Sequence, residues 1–60
     1  QNTLAEYIGI NKGDVILRMN GIDINNKNDF EKALEIVKLK RYIDIVIDRF
    51  GKKLYFRSYL

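Results

Sequence analysis

The sequence predicts an α+β fold in which short, mostly antiparallel strands form a sheet that packs against one longer helix. Three observations lead to this prediction: an Asn-Gly pair that follows an apolar run, apolar residues at helical spacing in residues 30–37, and apolar–polar alternation through residues 41–60. The predicted order is short helix, two strands, helix, two strands, which is typical of an α+β domain.

The first segment predicts a short helix over Thr3–Ile8. Thr3 can cap its N-terminus, Glu6 stands at the capping-box position and Gly9 can end it.

The next segment predicts a turn, a strand and a hairpin. Residues 11–13 (Asn-Lys-Gly) form the turn, and Asp14–Met19 is a nearly continuous apolar run of strand length. Such a run predicts a central strand covered on both faces. Asn20-Gly21 is typical of a two-residue hairpin turn, because both of its positions need positive φ. Ile22 and Ile24 then predict a short returning strand.

The middle of the chain predicts a helix that ends at about Lys40. Asn28 can cap its N-terminus, with Glu31 three residues further on. Cationic residues at its end suit the negative end of the helix dipole. Four apolar residues at the spacing i, i+3, i+4 and i+7 define one face of this helix: Phe30, Ala33, Leu34 and Val37.

The last twenty residues predict two strands joined at Gly51. In Arg41–Phe50 three isoleucines alternate with polar residues and one valine, and Lys53–Leu60 alternates again. Alternation with a period of two indicates strands with one buried face.

The composition restricts the chemistry available. The chain has 60 residues, enough for one domain, a net charge of +3, and neither histidine nor cysteine. Common catalytic triads and most zinc sites need those residues. Asp44 and Asp48 share one face of a predicted strand, and we interpret them as solvated surface rather than an acid–base pair. Residues 23–29 hold two acids among asparagines, too few for a calcium loop. We therefore expect no catalysis, no metal and no cofactor.

A nucleic-acid-binding sheet is a weaker alternative. Alternating Tyr and Arg are common on exposed strands, acids are interspersed with the cations, and no ribonucleoprotein motif occurs. We therefore expect no nucleic-acid partner. The basic and aromatic residues that suggest this alternative surround the last hairpin: Arg49, Lys52, Lys53, Tyr55, Arg57 and Tyr59.

Taken together, several stretches of the chain resemble bacterial PDZ domains. In such a core Gly13 lets the backbone turn sharply into the sheet, and Asp14 accepts backbone N–H groups at that turn. Lys12 stands where the family often has proline. The match covers nearly the whole chain in the right order, so we expect residues 1–60 to form a single PDZ-like domain. The matching stretches are Gly9-Ile10, Lys12–Leu17 (KGDVIL), Asn20-Gly21, Asp29–Leu34 (DFEKAL) and Ile43–Leu60.

The resemblance implies a non-catalytic module that binds a protein or peptide. In that family an extended peptide, usually a C-terminus, joins the sheet beside a groove helix by strand addition. By position in the motif, the groove residues are Phe30, Leu34 and Val37. A groove wall and a core face have the same helical periodicity, so core positions explain these three equally well, whereas Ala33 is better explained as core.

Part of the family pattern is missing. The carboxylate-binding loop and the strand that pairs with the peptide lie before the short helix in the family, and only two residues precede Thr3 here. We therefore expect a partial PDZ-like fold, the C-terminal part of the domain. Its open sheet edge and apolar helix face would favour association with a second copy.

Two kinds of parent protein fit the resemblance. Asn20–Asp23 (NGID) and Leu54–Leu60 are most similar to the PDZ domain of general secretion pathway protein C, an inner-membrane component that helps recruit exoproteins or the secretin in type II secretion. The alternative is a substrate-binding PDZ domain of a periplasmic or membrane protease, of the high-temperature-requirement-A or site-2 type. Both imply a periplasmic location, with membrane contact only through a segment outside this chain.

Overall fold

The structure, a computed structural model, describes residues 9–60, so the predicted helix Thr3–Ile8 lies outside the described residues. The elements of the described part are β1 (Val15–Met19), β2 (Ile22–Asp23), α1 (Lys27–Lys40), β3 (Tyr42–Arg49) and β4 (Lys52–Tyr59). The strands form one antiparallel sheet in the order β2-β1-β3-β4, with α1 packed on one face. This confirms the predicted α+β fold.

The inner face of the sheet, the face that carries α1, holds the core. Alternation along β3 sends its three isoleucines to this face, while Asp44, Val46 and Asp48 point to the opposite, outer face. Burying one such side chain stabilises the fold by about 1.5–3 kcal/mol, so the three isoleucines together contribute several kcal/mol. The fully buried residues are Met19, Ala33, Val37, Ile43, Ile45 and Ile47.

β1 is central as predicted, but within residues 9–60 only its inner face is covered. Val15 is 56% exposed and Arg18 is also exposed. The pairing with β3 shifts register between Ile16 and Arg18, which is a β-bulge. Because of the bulge, Ile16 and Met19 both pack into the core, although residues three apart on a regular strand face opposite ways. The prediction of a strand covered on both faces is therefore wrong for the described residues. The bulge turns extra apolar residues toward the inner face, so the sequence is nearly continuously apolar although only one face of the strand is buried.

Both hairpins turn through two residues at positive φ, as type I′ turns require. At the first turn φ is 49° for Asn20 and 83° for Gly21, which confirms the predicted hairpin. At the second turn φ is 51° for Phe50 and 85° for Gly51. The sequence indicated this second break only through its glycine.

The N-cap of α1 lies two residues before the predicted cap. Asn26 is the N-cap, and its Oδ1 accepts a hydrogen bond of 2.9 Å from the backbone N–H of Asp29. The Asp29 carboxylate in turn accepts a 3.0 Å bond from the N–H of Asn25. The prediction of Asn28 as the cap is therefore wrong. Asn26 and Asp29 have the same three-residue spacing as the predicted pair Asn28 and Glu31, and they lie two residues earlier in the chain. No helix among residues 9–60 has the length and apolar composition needed to cross a bilayer.

Replacing each asparagine in turn should show which of the two, Asn26 or Asn28, caps α1. We expect Asn26→Ala to lower the free energy of unfolding by about 1 kcal/mol, because the N–H of Asp29 loses its acceptor. Asn28→Ala is the matched control and should change stability little. Urea unfolding followed by circular dichroism measures both, and equal losses would contradict the cap assignment.

Candidate functional site

The apolar residues of α1 differ in burial. Ala33 and Val37 are buried in the core, whereas Phe30 and Leu34 pack against the same core but stay half-buried. With about 100° of rotation per residue, Phe30 and Leu34 lie to the same side of the buried Ala33–Val37 line. We call these two half-buried residues the α1 flank.

The structure thus places the three predicted groove residues in two environments. Val37 is 3% exposed and reaches a ligand only if its neighbours move. The α1 flank, in contrast, presents apolar surface at the margin of the core. Ala33 is a core residue, as interpreted from the sequence. The solvent face of α1 is charged, with Lys38 Nζ lying 3.5 Å from Glu35 Oε2.

A bidentate ion pair ties the turn before β1 to the β3–β4 hairpin. Arg49 Nε and Nη2 donate to the two carboxylate oxygens of Asp14 at 3.0 and 2.9 Å, and Nη2 also donates to the Gly9 carbonyl at 2.9 Å. The N–H of Asn11 donates to Asp14 Oδ2 at 2.8 Å, which confirms the predicted role of Asp14 at this turn. The Arg49 partner, 35 residues away, was missed, because no local pattern links the two residues.

Electrostatics favour the ionised form of this carboxyl group. The hydrogen bonds from Arg49 hold the pKa of Asp14 below its usual value, and the backbone N–H of Asn11 adds to this, while burial acts in the opposite direction. The Asp14 side chain is only 1% exposed and that of Arg49 is 26% exposed, so the carboxylate is shielded from solvent. Charge-assisted, bidentate pairs of this kind are among the stronger hydrogen bonds in proteins.

Asp44 belongs to a cluster of basic and aromatic side chains on the outer face of the sheet. Arg57 Nη2 donates to Asp44 Oδ2 at 2.9 Å, and this bond raises the pKa of Arg57. The Arg57 guanidinium carbon also lies 5.1 Å from the ring centroid of Tyr42 and 6.0 Å from that of Tyr59. Asp44 therefore stabilises a neighbouring cation on the sheet surface, in line with its interpretation as a surface residue.

The other acids of this face also have structural partners. Asp48 Oδ1 accepts a 2.8 Å bond from the N–H of Gly51 and fixes the second turn. Asp23 Oδ1 lies 2.9 Å from Arg18 Nε across the first hairpin. In the described part of the chain no three carboxylates come together as a metal site.

Asn20 has a second role that the sequence pattern does not indicate. Besides forming the turn, it bridges to β3: its Nδ2 donates to the Tyr42 carbonyl at 3.0 Å, and its Oδ1 accepts from the Asp44 N–H at 2.9 Å. The Asn-Gly signal indicates only the turn, because the neighbouring strand is distant in sequence.

Residues 1–48 match the family model of the PDZ domain, and the chain belongs to this family. It is therefore a protein-interaction module, and such modules are generally not catalytic. The match confirms the resemblance drawn from the GDVIL and Asn-Gly stretches. It ends within β3, so β4 lies beyond it.

The chain is also similar to one curated protein and to one solved structure. It is 42% identical over 55 residues to the protein named "Putative zinc metalloprotease Cj1068" of Campylobacter jejuni, an alignment that covers 92% of this chain and 14% of that protein. The chain thus spans about one seventh of that curated relative. Among solved structures it is similar to the PDZ domain of EpsC from Vibrio cholerae, residues 204–305, with a TM-score of 0.75 and 21% identity, over 95% of this chain and 54% of the other. At that identity the likeness shows the shared fold.

The Asp14–Arg49 pair makes stability depend on acid pH. Because the folded state lowers the pKa of Asp14, the stabilisation is present above the ordinary aspartate pKa of about 3.9 and is lost as pH falls through the lowered value. We expect Asp14→Asn to reduce the free energy of unfolding at neutral pH and to flatten its decline in acid.

Urea unfolding between about pH 7 and pH 2 measures this difference. Asp23→Asn is the matched control, because the Arg18–Asp23 pair is exposed and should contribute little. Parallel pH profiles for the wild type and Asp14→Asn would contradict the assignment.

Proposed function

We propose that this chain docks an extended peptide of a protein partner against the α1 flank, without catalysing a reaction itself. One observation carries the proposal: Phe30 and Leu34 lie together on α1, half-buried at the margin of the core. A bound apolar side chain would remove the remaining exposed surface of these two residues from water, which is favourable. Val37 then belongs to the wall behind the groove, as a buried residue in contact with the core.

We further propose that the parent protein is a zinc metalloprotease of the membrane-associated type. The support is the 42% identity over 92% of this chain to the Campylobacter jejuni protein. In such a parent this domain binds segments of substrate and delivers them to a catalytic domain outside residues 1–60, on the periplasmic side. Sequencing the natural reading frame that encodes this chain tests the proposal. An H-E-x-x-H zinc motif in the same polypeptide would support this parent.

A type II secretion component is the second candidate parent, and the stretches Asn20–Asp23 and Leu54–Leu60 resemble it. Its support is the likeness to the EpsC PDZ domain, which at 21% identity concerns the fold. A reading frame with a single membrane anchor and a small β domain, and without a protease motif, would favour this candidate over the protease.

We propose a different polypeptide rather than a second copy as the main partner. Within residues 9–60, β4 is an edge strand, the kind of edge expected to invite self-association. It carries three cations, Lys52, Lys53 and Arg57. Lysines on an edge strand discourage pairing with a second strand, and Lys52 and Lys53 are both exposed.

Binding should depend on the α1 flank and not on the charged face of the same helix. We expect Leu34→Asp to weaken binding of a C-terminal peptide, selected from a displayed library, by about tenfold or more, because an apolar contact is replaced by a charge. Lys32→Asp introduces the same carboxylate on the solvent face and should change affinity by less than about twofold. Fluorescence anisotropy measures both affinities.

Folding has to be controlled, because Leu34 also contacts the core. Leu34→Ala keeps the site apolar and should retain the fold, with a smaller loss of affinity than Leu34→Asp. Equal effects of Leu34→Asp and Lys32→Asp on binding, in variants that unfold normally, would remove the groove assignment.

A further inference from the structure

Two turns lie side by side at one end of the sheet. Arg49, the last residue of β3, bonds to Asp14 and to the Gly9 carbonyl, so the β3–β4 hairpin is held against the turn that precedes β1. A Cβ placed on Gly13 would lie 4.0 Å from Phe50 Cζ. Phe50 therefore lies in a hairpin turn that hydrogen bonds hold in place.

Folding alone does not explain Phe50. It is 91% exposed, so its ring contributes almost no burial to the core. Its φ of 51° lies in the left-handed region, which bulky residues rarely adopt. At the equivalent position of the first hairpin, Asn20 suits that backbone and uses its side chain to bond β3. An exposed aromatic residue kept in an unfavourable conformation indicates a contact outside the chain.

The surroundings of Phe50 are cationic. Lys12 lies in the adjacent turn, Lys52 directly follows the hairpin turn, and Lys53 is next along β4; all three are exposed. Among residues 9–60 none of these lysines forms an ion pair. We call Phe50 with these three lysines the hairpin tip.

The acids near the hairpin tip do not cancel its charge. The charge of Asp14 is neutralised by its ion pair with Arg49. Asp48 lies opposite Lys53 in the strand register, so its charge compensates that of one lysine. The hairpin tip therefore stays positive.

We propose that the hairpin tip binds the surface of an anionic lipid bilayer, with the Phe50 ring inserted at the boundary between headgroups and acyl chains. Aromatic rings favour that boundary, and lysines beside it are attracted to anionic headgroups. A protruding ring surrounded by cations suits a flat anionic surface, whereas the α1 flank suits a peptide. This inference departs from the sequence-based expectation that membrane contact lies outside this chain, and it does not depend on the proposed parent protein.

The chain contains no tryptophan, so one introduced tryptophan reports on its own site. We expect Phe50→Trp to give a blue-shifted emission, quenched by brominated acyl chains, on addition of phosphatidylglycerol–phosphatidylethanolamine vesicles. The response should be small with pure phosphatidylcholine and should fall with added salt. Leu39→Trp is the matched control, because Leu39 is 82% exposed on α1, and its emission should not shift.

A second variant separates binding from folding. Phe50→Asn places at this turn the residue that the first hairpin uses, so we expect thermal stability to be equal or higher. Its vesicle binding, measured by co-sedimentation, should fall about tenfold or more, because no ring remains to insert. Lys52→Gln should weaken vesicle binding by about fivefold, and Lys32→Gln on α1 should have no effect.

Three results would each overturn the proposal. The first is an unshifted Phe50→Trp emission with anionic vesicles. The second is vesicle binding that Phe50→Asn retains and Lys52→Gln loses, which would indicate a general polyanion surface without insertion. The third is a Phe50→Asn variant that binds vesicles normally but no longer binds the selected peptide, which would assign the ring to a protein contact.

Discussion

The contact between α1 and the isoleucines of β3 organises the domain. The inner face of β3 is fully buried, and α1 meets it through Ala33 and Val37. The buried strip of α1 is narrow, because Ala33 and Val37 are the buried residues of this helix. A narrow strip leaves Phe30 and Leu34 at its margin rather than beneath it. The same packing that stabilises the fold thus creates the apolar surface available to a partner.

Features set by neighbouring residues were predictable from the sequence, and features set by distant pairing were not. The first hairpin and the alternation of β3 depend on local backbone preferences, and the structure has both. The bulge in β1 depends on its register with β3, so the run of apolar residues alone suggested a strand buried on both sides. The helix start was ambiguous for another reason: Asn26 and Asn28 are both good caps, and the bond from the Asp29 N–H selects Asn26.

The candidate site was predictable only in part. Helical periodicity identifies the apolar side of α1, but it cannot say which of those residues the sheet covers completely. Val37 and Leu34 are equivalent in the sequence pattern, and only the position of β3 makes one buried and the other half-exposed. The Asp14–Arg49 pair shows the same limit, since its two residues stand 35 positions apart.

The two hairpins differ in how well the first residue of the turn suits its left-handed backbone. Both turns impose the same left-handed backbone on their first residue. At Asn20 the residue suits that backbone and also bonds to β3, so folding accounts for it completely. At Phe50 the residue suits neither the backbone nor the exposure, although asparagine is frequent elsewhere in the chain. Since the ring is 91% exposed, the fold gains little from it, and we infer that the ring contacts a partner outside the domain. The cations around the ring favour a partner with negative charge.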